Sequence, residues 1–400
     1  MPCEDYLKLS LSSGEAYVRK DRISQIRKVD GIIFDCDGVL IDIRESYNKA
    51  ISKSVAYILE RMIGCEVSEG LISNEIIYLF RKTGGFNCDW DTVYGILMFI
   101  LSRLPKETQM SLGEIMEKLE RERSPFKRLM LMEEAVKERF RRPVLNQEFF
   151  SESIRKLKDF TGLLDSTGRE SVDRSLMNLY GSDEDFRRFY GLLKRFLHRS
   201  VNVEESIIAR VVEEFFCGAK LFRETYGVTP RFNNGLGLIE NERLIVRPET
   251  LDALASILGK RNLGIASGSR CKPAEYILGD LIEKFNPDAL VFVEDIEEAE
   301  RLRGENLKKP HPYSLLRAAE GFEDSTFLMY VGDSMEDAIM AVEDVKLKRK
   351  ILFTGVYRYT GFEEKIIRSF LDYGCDIIIP TVNELPVILR ELGGRNVESR

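Results

Sequence analysis

The residues best placed to do chemistry in this sequence are two aspartates in the stretch Gly31-Ile-Ile-Phe-Asp35-Cys-Asp37-Gly38-Val-Leu-Ile-Asp42. The apolar run before Asp35 reads as a buried strand. Side chains two apart in a strand point to the same side, so Asp35 and Asp37 arrive together at its carboxyl end. Carboxylates that close repel, and one is driven toward its protonated form unless a cation stands between them. Gly38 permits the tight turn that must follow. A single Asp beside a Gly usually caps a helix. Doubled directly after an apolar strand, the pattern points instead to a phosphate and metal site.

Such a site needs partners from elsewhere in the chain, and the carboxyl-terminal part supplies candidates. From about 244 onward short apolar runs at 262–267, 289–293, 326–332, 350–354 and 376–379 alternate with amphipathic stretches at 250–258, 273–284 and 313–319. This alternation predicts an α/β fold, a doubly wound parallel sheet with helices on both faces. The first strand, at 31–36, belongs to the same sheet. Ligands of such sheets bind beyond the carboxyl ends of the strands. The run ending at Ser267 is followed by Gly268 and Ser269, whose hydroxyls and backbone N–H groups can hold phosphate oxygens. Lys309, in Lys308-Lys309-Pro310-His311-Pro312, is stiffly placed and can offset negative charge in a transition state. The run ending at Gly332 leads into Asp333-Ser-Met-Glu-Asp337, two carboxylates one helical turn apart. Taken singly, each of these is an ordinary turn, loop or helix cap.

In order, however, DxDG, a strand-terminal Ser, Lys-Pro and GDxxxD resemble the four motifs of the haloacid dehalogenase superfamily of phosphohydrolases. The resemblance covers about 29–43 and 244–390 and implies a Rossmann-like core. It implies Asp35 as nucleophile and Asp37 as general acid and base, with Ser267 and Lys309 holding phosphate. It also implies Mg²⁺ bound by Asp35, Asp333 and the backbone carbonyl of Asp37, with Asp337 as a further carboxylate of the metal site. A dehalogenase proper resembles this core but needs neither the second aspartate nor a metal.

Between the first two motifs, from about 44 to 228, helical periodicity recurs and no strand is evident. Helices are expected at 44–62, 69–82, 90–104, 112–121, 129–140, 147–160, 185–197 and 204–226, with breaks at 83–85, 105, 124–125, 143 and 181–183. The expected division is therefore residues 1–43 and 229–400 as the core, and 44–228 as an inserted all-α cap. The ends of the insertion are similar to caps of the phosphoglycolate phosphatase and β-phosphoglucomutase subgroup; residues 105–200 are longer than such caps and could also form a dimerisation arm. Within the cap, Arg81-Lys82-Thr-Gly-Gly-Phe-Asn87-Cys-Asp-Trp90 resembles the loop through which related caps reach substrate. Arg81, Lys82, Asn87 and Trp90 are accordingly substrate-contact candidates, as are Gly268 and Ser269. The alternative is a plain helix connection with Asp89 as cap and Trp90 as core.

Bulk properties narrow the field. A net charge of −7 argues against a dedicated nucleic-acid binder, and seven cysteines without a CxxC pair suit a reducing cytoplasm. No signal-like segment opens the chain, and its most apolar segment, 93–101, is too short to span a bilayer. The expectation is a cytoplasmic Mg²⁺-dependent phosphatase of a small phosphorylated metabolite, phosphoglycolate- or sugar-phosphate-like. A phosphomutase with the same intermediate is the nearest alternative. A catalytically silent scaffold using the helical block is the alternative of another class.

Overall fold

The computed structural model describes residues 2–86, 88–140, 147–322, 325–342 and 350–393; the break expected at Pro143 lies outside them. The chain divides into two compact units, Met1–Arg44 with Glu242–Arg400, and Glu45–Asn241.

The strands of the first unit are β1 (Tyr6–Leu11), β2 (Gly14–Arg19), β3 (Gly31–Phe34), β4 (Ile41–Asp42), β5 (Arg243–Leu244), β6 (Leu263–Ala266), β7 (Leu290–Val291), β8 (Phe327–Gly332), β9 (Lys350–Val356) and β10 (Ile377–Ile379). Eight of them form one sheet in the order β1-β2-β10-β9-β8-β3-β6-β7, while β4 and β5 form a separate two-stranded ribbon. From β10 to β7 the pairing is parallel throughout. This is the expected α/β architecture, and its strands are apolar on both faces because helices cover both. Ile32, Phe34, Met329 and Val331 pack toward one layer, which includes Leu251, Leu254, Leu278 and Leu385. Their strand neighbours Ile33, Leu328 and Tyr330 pack toward the other, with Leu315, Ala318 and Phe370.

The amino-terminal segment departs from expectation. The polar, mixed sequence of residues 1–28 predicts a short element packed at the edge of the first strand, whereas β1 and β2 form an antiparallel hairpin that joins the far side of the sheet, on β10. Leu7, Leu9 and Leu11 alternate with polar residues and pack on the core, a period-two signal inside a polar stretch.

The second unit is helical, as expected, with no strand among its described residues. Its centre is the helix Asp89–Ser102, in which Trp90 and every residue from Thr92 to Ser102 are buried. A helix apolar all round belongs inside a bundle. It packs against Tyr47–Ile63, Gln147–Thr161, Arg169–Tyr180, Glu184–Leu197 and Ile207–Tyr226. Of these, Arg169–Tyr180 has no counterpart in the periodicity reading. Its buried face is Ser171, Val172, Ser175 and Leu176, so half of the stripe is serine and the apolar repeat is lost. The expected helix over 112–121 starts earlier, at Lys106, and that over 129–140 starts at Pro125, capped by the Ser124 side chain. Pro105 stands just before the first helix and Pro125 opens the second, positions that need no N–H. No helix among the described residues is long and apolar enough to cross a membrane.

Residues 229–241, assigned to the core in the sequence reading, go with the helical unit. Glu214, fully buried, explains this. Its Oε2 accepts the backbone N–H groups of Arg231 (2.7 Å), Phe232 and Asn233 (3.0 Å), while Oε1 pairs with Arg210. Removing one partner of a buried ion pair strands the other, at a cost of about 3–5 kcal/mol. Glu214→Ala should therefore lower the denaturant midpoint of unfolding sharply and open residues 229–237 to proteolysis. Leu236→Ala in the same loop, at an 82 % exposed side chain, should change stability by no more than about 0.5 kcal/mol. Equal, small effects of the two substitutions would show that Glu214 does not hold the loop.

Candidate active site

The site is assembled at the carboxyl ends of β3, β6 and β8, which are neighbours in the sheet. Asp35 follows β3 directly, and its N–H continues the ladder to the Val331 carbonyl (2.9 Å). The chain then turns back at once: the Cys36 carbonyl accepts from Leu40 (2.8 Å) and Ile41 (3.0 Å), and the Gly38 N–H donates to the Ile41 carbonyl (2.9 Å). Gly38 adopts φ +73°, and a Cβ there would stand 2.0 Å from Asp333 Oδ2. Only glycine lets this turn lie against the Asp333 carboxylate.

Lys309 is the hub. Its Nζ lies 2.8 Å from Asp35 Oδ2, 2.8 Å from Asp337 Oδ1 and 2.8 Å from the Tyr330 hydroxyl, which uses all three ammonium protons. Burial disfavours the charged amine, yet Asp337 and Asp35 hold its pKa well above the ordinary lysine value. Asp337 is saturated in turn. Besides Lys309, its Oδ1 lies 3.0 Å from the Tyr330 hydroxyl, and its Oδ2 accepts the Ser334 N–H (3.1 Å) and Oγ–H (2.7 Å). Burial works against ionisation of Asp337, but Lys309 with these hydrogen bonds holds its pKa below the usual carboxylate range.

Asp35 accepts the Cys36 N–H (2.8 Å) besides Lys309, whereas Asp333 has no such hydrogen bond among the described residues. Burial raises the pKa of Asp35 in spite of Lys309, and it raises that of Asp333 well above the ordinary value, reinforced by Asp337 and Asp35. One carboxylate oxygen from each of Asp35, Asp333 and Asp337 lies within 4.8 Å of the others, an arrangement that could hold a metal ion. All the donors are hard oxygens, and Asp333 is a crowded carboxylate without compensating hydrogen bonds among the described residues. That combination fits a hard divalent cation. Because Asp337 already uses its lone pairs, the ligand roles fit Asp35 and Asp333, leaving Asp337 to organise Lys309.

The remaining core candidates also converge. Ser267, almost fully buried, has its Oγ 3.0 Å from Ser269 Oγ, and Ser269 Oγ donates to Asp37 Oδ2 (2.8 Å). Gly268 is exposed, with nothing within 4 Å of a Cβ built on it. Two members were missed in the sequence. Tyr330 could have been found as the one hydroxyl in an otherwise apolar strand, and Ser334 as the residue next to Asp333. In the helical unit, Arg81 pairs with Asp89 (3.1 Å), and Trp90, 7 % exposed, donates through Nε1 to Glu213 (2.8 Å). Lys82 ends its helix, and Asn87 lies outside the described residues. These bonds are what a connection between helices requires for its own stability.

A family model described as haloacid dehalogenase-like hydrolase matches residues 29–343. Among solved structures, an X-ray structure of a Northeast Structural Genomics Consortium target, ZR25, is 16% identical. The match covers 92% of this chain and 100% of that one, with a TM-score of 0.66, and it shows a shared fold. Phosphatase Tt82 from Thermococcus thioreducens is 22% identical over 85% of this chain and 98% of its own, with a TM-score of 0.48. A search of curated proteins returns no match.

The Gly38 turn makes the placement of Asp333 testable without any substrate. Gly38→Ala should fold, since a left-handed alanine costs about 1–2 kcal/mol. Its Cβ should displace the Asp333 carboxylate and weaken Mg²⁺ binding by roughly 10–100-fold, the loss typical when a ligand's support is removed. Gly268→Ala, which meets open space, is the control. Calorimetric titration with Mg²⁺ reads both, and equal affinities would place the cation away from Asp333.

Proposed function

The chain belongs to the haloacid dehalogenase-like hydrolase family, and on that premise we propose that it is a Mg²⁺-dependent phosphatase of small phosphorylated metabolites. The observation that carries this reading is the set of groups around Lys309. A carboxylate at the end of β3 is held by an ammonium, and a second carboxylate two residues on is tethered by a serine. Nucleophile and proton donor then come from the end of one strand, β3, and charge compensation from the loop that carries Lys309.

Asp35 attacks phosphorus and forms a carboxyl–phosphate bond as the ester P–O bond breaks, which divides phosphoryl transfer into two displacements. Asp37 gives its proton to the departing alkoxide and then takes one from the water that hydrolyses the aspartyl phosphate. Ser267 holds a phosphoryl oxygen, and Lys309, beside the nucleophile, offsets the charge that grows on the phosphoryl group, turning a proton to it from one of its present acceptors. Mg²⁺, held by Asp35, Asp333 and the Asp37 backbone carbonyl, would neutralise the repulsion between the carboxylates and the anionic substrate. Choice of leaving group is assigned in this reading to the helical unit, with phosphoglycolate and sugar phosphates as the first compounds to test.

The test is a panel of metabolite phosphates with the full chain, scored for free phosphate and for isomerised product. Phosphate release is expected, lost with a chelator and restored by Mg²⁺. Asp35→Asn should abolish turnover. Asp37→Asn should cost about 10²–10⁴-fold on alkyl phosphates, the usual share of a general acid. Isomerised product without free phosphate would make the protein a mutase. Full activity of Asp35→Asn, or in metal-free buffer, would overturn the covalent and metal-assisted reading.

A further inference from the structure

We propose that Ser269 is a positioning residue that holds the Asp37 carboxylate for proton transfer to the leaving group. This rests on the phosphatase reading and adds a residue to it. Parallel β3 and β6 run in register, with Phe34 opposite Ile265, so the segments just past their ends lie side by side. That brings Ser269 Oγ to 2.8 Å from Asp37 Oδ2, across 232 residues of sequence.

Ser269 is itself fixed. Its N–H donates to Ser267 Oγ (3.2 Å), and its carbonyl accepts the N–H of Val293 (3.1 Å), the first residue of the helix Val293–Arg303. At 8 % exposure, its hydroxyl has little access to competing water. A serine hydroxyl has one proton to give. Because Ser269 spends it on Asp37, the 3.0 Å contact with Ser267 draws no proton from Ser269. When Ser267 turns its proton to a phosphoryl oxygen, the Ser269–Asp37 bond is therefore left intact. The tether persists through substrate binding, whereas the Ser267 link does not.

The bond also sorts the two oxygens of Asp37. With Oδ2 accepting from Ser269, the transferable proton belongs on Oδ1. In the first displacement that proton passes to the leaving oxygen as the P–O bond breaks, and in the second Oδ1 receives one from water. Without the hydroxyl, the orientation that leaves the proton on Oδ1 loses this hydrogen bond. The loss should thus appear where leaving-group protonation matters and hardly elsewhere.

The test compares Ser269→Ala and Ser269→Thr on an alkyl phosphate and on p-nitrophenyl phosphate, whose leaving group departs without a proton. Phosphoenzyme formation is followed in single turnovers, with melting temperature as a check on folding. Ser269→Ala should lose about 10-fold or more on the alkyl ester, part of the 10²–10⁴-fold that a general acid supplies. On the aryl ester the loss should be much smaller, about threefold or less, because the removed interaction acts only where the leaving group takes a proton. Ser269→Thr, which keeps the hydroxyl, should recover the alkyl activity. Equal losses on both esters, or no rescue by threonine, would overturn the assignment and make Ser269 a phosphate contact or a structural residue. A wild-type chain that releases phosphate from neither ester would overturn the phosphatase reading and this inference with it.

Discussion

The lysine buried between Asp35 and Asp337 is the interaction on which the first unit depends. An ammonium removed from water is stable only where each proton has an acceptor, and Lys309 has three. Three carboxylates stand around one ammonium, so the cluster of Asp35, Asp333 and Asp337 keeps two formal negative charges. The fold shares the compensation unevenly. Asp337 receives the lysine, a tyrosine and both donors of Ser334, which hold its pKa down, while burial and the neighbouring Asp337 and Asp35 push that of Asp333 up. A site whose protein-only charge balance is incomplete by two is suited to a divalent cation and an anionic substrate, and unsuited to being merely structural.

That crowding is possible because side chains are absent where backbone must approach carboxylate. Gly38 lies against Asp333, and Gly332, the last residue of β8, lies against Asp337: a Cβ on it would stand 2.4 Å from that of Asp337. Each motif therefore consists of the acid that acts and the glycine that lets a neighbouring loop reach it. The parallel register supplies the third dimension, since β3 lies between β8 and β6 and receives a partner from each side. An acid at the end of an edge strand would have had one such neighbour.

This explains which parts were legible in the sequence. Asp35, Asp37, Asp333 and Asp337 could be read because each motif's glycine and acids lie within a few residues, and the apolar run marks the strand end. Ser267 and Lys309 had weaker local signals and became readable only through their order in the chain. Tyr330 as a partner of Lys309, and Ser269 as a partner of Asp37, were not readable, because strand order decides which ends meet and no local pattern encodes it. The same limit hid the placement of the β1–β2 hairpin, whose alternation is visible but whose partner, β10, comes more than 350 residues later. In the helical unit the reading failed where polar atoms replaced apolar ones in the buried face, as in Arg169–Tyr180. It also failed where a proline opened a helix rather than ending one.

An insertion of about half the chain, placed just after an interior strand, interrupts the sheet in sequence without breaking it in space. The β4–β5 ribbon shows why. Ile41 pairs with Leu244 and Asp42 with Arg243, so the chain leaves the first unit and re-enters it through adjacent antiparallel strands. The Leu40 carbonyl accepts from the Ile245 N–H (2.8 Å), extending the clasp toward the buried Ile245 and Val246. Within the helical unit the two ends meet again, where Asn241 donates to the Glu45 carbonyl (3.3 Å). Closing a loop costs entropy that grows only with the logarithm of its length, so once its ends are pinned, adding helices adds little to that cost. The helices need then only fold among themselves, which the all-round apolar helix Asp89–Ser102 allows them to do. Asp35 and Asp37 keep their register with β6 and β8 however elaborate the insertion becomes, because the clasp at 41–42 begins four residues past Asp37 and absorbs the departure of the chain there.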